Sequence, residues 1–171
     1  QRIYSLNVPV DIISVEAAIA NSLGVSASDR DTFIGASANI VSKNESEMAS
    51  GFEFQEARTI KEIDLEWIGS EAAKQSIKLL GARKTGSGEY PVVFSPRVTA
   101  SIFSAGIASA CNAENIQKKR SYLSNRFGER IARSEITVVD DGILDNGIAT
   151  SGFDGEGAPR TVTKIISEGV L

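Results

Sequence analysis

The chain has 171 residues, 42% of them hydrophobic and 23% charged, with a net charge of −4. This is enough apolar material for one good domain or two small ones, and the acidic balance argues against a general nucleic-acid binder, which needs a basic face, while leaving room for a small basic patch. With no histidine and one cysteine, an internal disulfide, a Ser-His or Cys-His dyad and a histidine-ligated metal are all excluded, so acid–base chemistry would fall to Asp, Glu, Lys or Tyr.

In chain order, Asp11 to Ala20 mixes Val, Ile and Ala and reads as a strand, and Asn21-Ser22-Leu23-Gly24 as a turn. Asp29 to Asp31 reads as a polar loop. Phe33 to Ser42 alternates in part, with Phe33 and Gly35 opposite Ile34 and Ala36, and Lys43 to Glu47 breaks it. Met48 to Arg58 sets Phe52 and Phe54 against Glu53 and Gln55. These runs predict an antiparallel meander with one wet face. Asp64 is placed to cap a helix over Leu65 to Leu80, with an apolar stripe at Leu65, Ile68, Ala72, Ser76 and Leu79 and a left-handed stop at Gly81. Gly81 to Glu89 is a polar, glycine-rich connection that lacks the Gly-Lys-Ser/Thr spacing of a phosphate loop.

Tyr90 to Phe94 is a short run of β-formers and reads as a buried strand. Ser95 can cap a helix whose first position suits Pro96. From Val98 to Cys111 the helix is small or apolar almost all round, which predicts burial, with Cys111 as inert packing. Asn112 caps a second short helix carrying Glu114, Ile116 and Gln117. Leu123 to Arg133 reads as a loop with a short amphipathic piece, Glu135 to Asp140 as a strand, and Asp140-Asp141-Gly142 as its turn. Two adjacent carboxylates could hold a metal, but on a strand they face opposite ways. Asn146 to Pro159 is a long glycine-rich loop, Thr161 to Ser167 a β-branched strand, and Glu168-Gly169 a turn.

Three features could bind something. Lys118, Lys119 and Arg120 form a basic triplet, either a solvated face at a helix end or a site for an anion or a peptide carboxylate. Asp154 and Glu156 sit two apart, the start of a calcium-like pattern without its later ligands. The loop that holds them, and Arg160 beyond it, is long enough to carry a function. The fold class expected is α+β: antiparallel sheets with two or three packed helices, divided at the glycine-rich connection into residues 1–81 and 82–171. No apolar run reaches membrane-spanning length and the N-terminus lacks a signal pattern, so the expectation is a cytoplasmic protein. The chain starts with Gln and stops just after a turn, which reads as the central segment of a longer protein.

The runs GARKTGSGEYPVVFSP (Gly81 to Pro96), FGERIA (Phe127 to Ala132), TVVDDG (Thr137 to Gly142), SGFDGEGAPR (Ser151 to Arg160) and the closing EGVL, in this order and at these separations, resemble the TldD/PmbA family, whose members are often called modulators of DNA gyrase. The resemblance implies relatedness to metallopeptidases that act on unfolded or small peptides in proteolysis and peptide maturation. It implies paralogues that pair, one of which carries a zinc-binding HExxxH motif. The slot for that motif falls at about Ser104 to Ser109, which reads SAGIAS. Neither the imidazoles nor the Glu is there, and no shift between Ile102 and Cys111 recovers them.

The resemblance therefore implies the branch without the motif: no catalytic or metal residue in this chain, and zinc only in an HExxxH-bearing partner. Expected partners are that paralogue or a second copy in a dimer, and a peptide held by Lys118, Lys119, Arg120, Asp154, Glu156 and Arg160. The alternative is a stand-alone binding or regulatory protein of the gyrase-modulator type. A metal-free hydrolase using Asp140, Asp141, Asp154 and Glu156 has no supporting acid–base spacing.

Overall fold

The computed structural model describes residues 2–171. They form an α+β protein of two compact units: Gln1–Thr85 with Asp141–Thr161, and Gly86–Asp140 with Val162–Leu171. The first unit runs past the expected 81/82 division to Thr85 and takes in a second stretch of chain. Residues 141–161 return to the first unit, because they pack on its strands.

In the first unit β1 (Arg2–Asn7), β2 (Val10–Ala20), β3 (Ser26–Lys43) and β4 (Met48–Ala57) build an antiparallel sheet around the 18-residue β3. β1 pairs with residues 39–43 of β3, β2 with residues 26–36, and β4 with residues 34–43. β1 and β2 thus lie end to end along one edge of β3 and β4 lies along the other. Residues 26–33 continue with β2 as a two-stranded ribbon.

Side chains alternate across a strand, so Ile34, Ala36, Ala38, Ile40 and Ser42 share one face of β3, and all are buried. Helix α1 (Leu65–Leu79) covers that face, and Ile68 and Ala72 close the core over Ala36, Ala38 and Ile40. The Asp64 carboxylate accepts from Trp67 N at 2.8 Å and so starts the helix, and Gly81 ends the turn beyond it at φ +80°. Buried Ile68, Ala72 and Ser76 match the expected stripe, whereas Leu65 and Leu79 at its ends are exposed. The small sheet residues let the helix come close. A Cβ on Gly51 would lie 2.0 Å from the carbonyl oxygen of Ala72.

Asp29 to Asp31 are not a loop. They continue β3 opposite Ala17, Glu16 and Val15, and Arg30 bridges to Glu16 at 3.0 Å. A two-stranded ribbon leaves both of its faces open to polar side chains, so composition did not mark these residues as strand. β1 was not anticipated either.

The second unit holds α2 (Pro96–Phe103), a π-helical turn (Ser104–Ala108), α3 (Ser109–Cys111), α4 (Ala113–Gln117) and a two-stranded sheet of β5 (Val138–Asp141) and β6 (Val162–Ile166). Its buried side chains are Ala110, Leu123 and Ile166. The expectations for the strand and the long helix fail here. Tyr90 to Phe94 pairs with no strand among the described residues and is exposed, Val93 at 98%. β-propensity measures fit to a pleated, half-buried surface, and without a neighbouring strand it has nothing to act on. The helix after it is not buried all round. Val98 and Ile102 stand in solvent, Ala110 alone is buried among residues 96–111, and Cys111 is half-buried. An apolar circumference permits burial, but a covering element must supply it. Asp140 lies in its strand as expected from the run to that residue, but Asp141, expected in the turn, is the last residue of β5, and the turn begins at Gly142.

Candidate functional site

The slot from Ser104 to Ser109 sits where the helix changes pitch. Ser95 Oγ accepts from Val98 N at 3.4 Å, Pro96 fills the first position, and α2 runs regularly to Phe103. The next five residues, SAGIA, are π-helical. In a π turn the hydrogen bonds span i to i+5, so residues five apart come onto one side. Ser104 and Ser109 are such a pair. This turn borders a cleft of about 540 Å³ whose other wall is Val138, Val139 and Asp140 of β5.

The cleft does not suit zinc. Of the residues that line it, Asp140 and Cys111 alone carry donors that suit zinc, and among the described residues no three His, Cys, Asp or Glu side chains gather where they could hold a metal ion. Cys111 lines the cleft. Burial raises its thiol pKa above the ordinary value, which keeps it protonated and a poor ligand or nucleophile.

The other sequence candidates fall in separate units. Lys118, Lys119 and Arg120 follow α4 in the second unit and all three are exposed. Asn112 Oδ1 starts α4 by accepting from Glu114 N at 2.9 Å. Lys118 forms an ion pair with Glu114 one turn back, and Lys119 takes a left-handed φ of +54° as the chain turns away.

Asp154, Glu156 and Arg160 belong to the first unit. Asp154 Oδ1 accepts from Glu156 N and Ala158 N, both at 2.9 Å. The bonds from Ala158 and then Glu156 hold the Asp154 carboxyl below the usual range. Its oxygen is thus occupied in shaping its own turn, whereas the Glu156 and Arg160 side chains are exposed.

Arg58 was not singled out in the sequence. It anchors residues 147–150 by donating from Nε to Gly147 O at 3.0 Å and from Nη2 to Thr150 O at 2.7 Å, while Nη1 pairs with Asp31 at 2.7 Å. Asp29 Oδ2 accepts from Gly152 N at 2.6 Å, and Gly157 lies against Val25 and Ile19. Nothing in the order of residues joins Arg58 to a loop some ninety positions on.

Two of the motifs that carried the resemblance also meet. In the second unit Gly128 N donates to Leu171 O at 3.0 Å, Leu171 N to Glu129 O at 3.0 Å, and Ile131 N to Gly169 O at 2.8 Å. FGERIA and EGVL are therefore one hydrogen-bonded piece of scaffold.

Comparison with known proteins agrees with this architecture. Residues 11–80 match the PmbA/TldA metallopeptidase central domain and residues 87–171 the PmbA/TldA metallopeptidase C-terminal domain. An uncharacterized protein of Methanocaldococcus jannaschii is 35% identical over 91% of the chain, which covers 36% of that protein. A metalloprotease PmbA homolog of Buchnera aphidicola is 29% identical over 88% of the chain, covering 34% of its own length. The chain thus spans about a third of these relatives.

Among solved structures, a proposed modulator of a DNA gyrase from Thermotoga maritima superposes with a TM-score of 0.91 at 27% identity, over 99% of this chain and 40% of the other. TldE of Thermococcus kodakarensis shares the fold at a TM-score of 0.86 and 24% identity, over 95% of this chain and 37% of the other. With both domain matches in order along the sequence, the chain belongs to the PmbA/TldD family of metallopeptidase-related proteins.

Proposed function

We propose that this chain is part of a non-catalytic, PmbA-like subunit of a metallopeptidase complex, in which a paralogue bearing the HExxxH motif supplies the zinc chemistry on small or unfolded peptides. The observation that carries this reading is the slot itself. The π turn and the cleft are present, but the stretch from about Ser104 to Ser109, where the resemblance puts the motif, offers no imidazole, and the chain has no histidine. The subunit's part is to complete a chamber around the partner's site and hold an extended peptide through backbone hydrogen bonds. The exposed cations Lys118, Lys119 and Arg120, with Glu156 and Arg160, are the side chains assigned to peptide contact. A cytoplasmic location and a dimer, with the paralogue or with itself, belong to the same proposal.

The test is zinc content and peptidase activity of the purified protein, alone and after co-expression with an HExxxH-bearing paralogue. Stoichiometric zinc and cleavage only in the co-purified pair are expected. Zinc-dependent cleavage by this protein alone would overturn the proposal.

A second reading is a stand-alone regulatory protein. It is favoured by the solved relatives described as proposed modulators of DNA gyrase. Recovery of gyrase, with no paralogue, from an affinity pull-down would select it.

A further inference from the structure

The second unit holds an apolar pocket apart from the cleft. It measures about 230 Å³, with Ile116 of α4, Leu123, Ile165 of β6 and Leu171 in its walls. Leu123 is fully buried and the other three are half-buried, so the walls are fixed by the packing of their own unit. The bonds from Leu171 to Gly128 and Glu129 hold one side in place. Phe127, which also lines the pocket, is 91% exposed and leaves an apolar ring uncovered.

Lys164 of β6 and Asn125 supply polar groups to the same pocket, Asn125 at a left-handed φ of +67°. Neither side chain has an ion-pair or hydrogen-bond partner among the described residues. An ammonium group is matched by a carboxylate, and a carboxamide N–H donates to the same oxygens. Apolar walls with a few converging polar groups are what small ligand sites consist of.

The volume selects among carboxylates. An apolar cavity of about 150 Å³ takes one benzene ring, so this pocket has room for one large side chain and not for an acyl chain. Cys111 and Ile165 line both the pocket and the cleft beside Ser104, so the two spaces are neighbours in one unit. A peptide that passes the cleft can therefore end here. We infer that the pocket seats the C-terminal residue of a peptide, a leucine-like side chain against Ile116, Leu123 and Ile165 and the terminal carboxylate on Lys164 and Asn125. This site goes beyond the contacts proposed above. It needs neither zinc nor a paralogue, so it holds or fails independently of that reading.

The test is a titration of the ¹⁵N-labelled full chain with acetyl-Ala-Ala-Leu, with its C-terminal amide, and with acetyl-Ala-Ala-Ala. Amide shifts centred on Leu123, Asn125 and Ile165 are expected for the first peptide, with the other two at least tenfold weaker. Lys164→Gln changes an exposed side chain. It should weaken the acid at least tenfold and leave the amide unchanged, so that the preference for the acid disappears. Ile116→Phe, which fills the pocket, should block the leucine peptide. Thermal melts establish that each variant is folded. Equal binding of acid and amide by the parent, a preference for the acid that survives Lys164→Gln, shifts centred on Ser104 and Val139 instead, or no binding at all would each overturn the assignment.

Discussion

Ser42 Oγ and Ser76 Oγ meet at 2.6 Å between β3 and α1, both side chains fully buried, and Ser76 also donates to Ala73 O at 2.8 Å. This is a fully buried polar link in the helix–sheet contact, and the two serines are not equivalent. Ser42→Ala leaves Ser76 with its carbonyl acceptor, for a loss of about 1 kcal/mol. Ser76→Ala strands a buried hydroxyl on Ser42 and should cost about 2 kcal/mol. The double variant should be less destabilised than the sum of the singles. Urea unfolding of the three proteins measures the cycle, and strict additivity would show that the pair is uncoupled.

Gly51 sets the distance between β4 and α1. A methyl group there would lie 2.0 Å from Ala72 O and 2.6 Å from Ser76 N, both backbone atoms. Neither can turn aside as a side chain could, so the helix as a whole must move. Gly51→Ala should cost about 3 kcal/mol, at the upper end of overpacking effects. Gly35→Ala, in open space on the same sheet, is the control and should melt within a few degrees of the parent.

Arg58 holds residues 147–150 and neutralises Asp31. Its side chain is 13% exposed, so the contacts are shielded more than those of surface pairs. Arg58→Lys keeps the charge but loses the fork that reaches both carbonyls. It should cost about 2 kcal/mol, in line with hydrogen bonds to charged groups, and raise amide exchange at Gly147 and Thr150. An unchanged exchange pattern would show that the loop is held by other contacts.

Asp154 makes the loop after Thr150 sensitive to acid. Its folded carboxyl titrates below the ordinary value because backbone N–H groups bind the ionised form. A depressed carboxyl stabilises the folded state above its unfolded pKa of about 3.9, and that contribution is lost as pH falls through the lower folded value. Protection of the Glu156 and Ala158 amides should therefore persist at neutral pH and fall only below the usual aspartate range. Asp154→Asn, which keeps an acceptor oxygen, should retain most of the protection, and Asp154→Ala should lose it at every pH. Exchange measured by NMR across this range decides between the outcomes.

The sequence by itself determined the elements whose cause is local. Asp64, Ser95 and Asn112 cap helices because a side-chain oxygen reaches an amide two or three residues on. β2 follows its mix of Val, Ile and Ala, β4 follows the alternation of Phe52 and Phe54 with Glu53 and Gln55, and Gly81 stops its turn with a backbone angle that other residues rarely adopt. The absence of histidine settled in advance that SAGIAS could not hold zinc through imidazoles.

The tertiary structure decided whatever depended on a distant partner. Tyr90 to Phe94 has strand chemistry but no strand beside it, while Asp29 to Asp31 has loop chemistry and is held as strand by Val15 to Ala17. The pocket beside Lys164 exists only because Ile116, Leu123, Ile165 and Leu171 are brought together, and Arg58 reaches Gly147 across some ninety residues. Composition fixes what each residue can do alone. Pairing and packing are long-range and cooperative, so they decide which of those capacities are used.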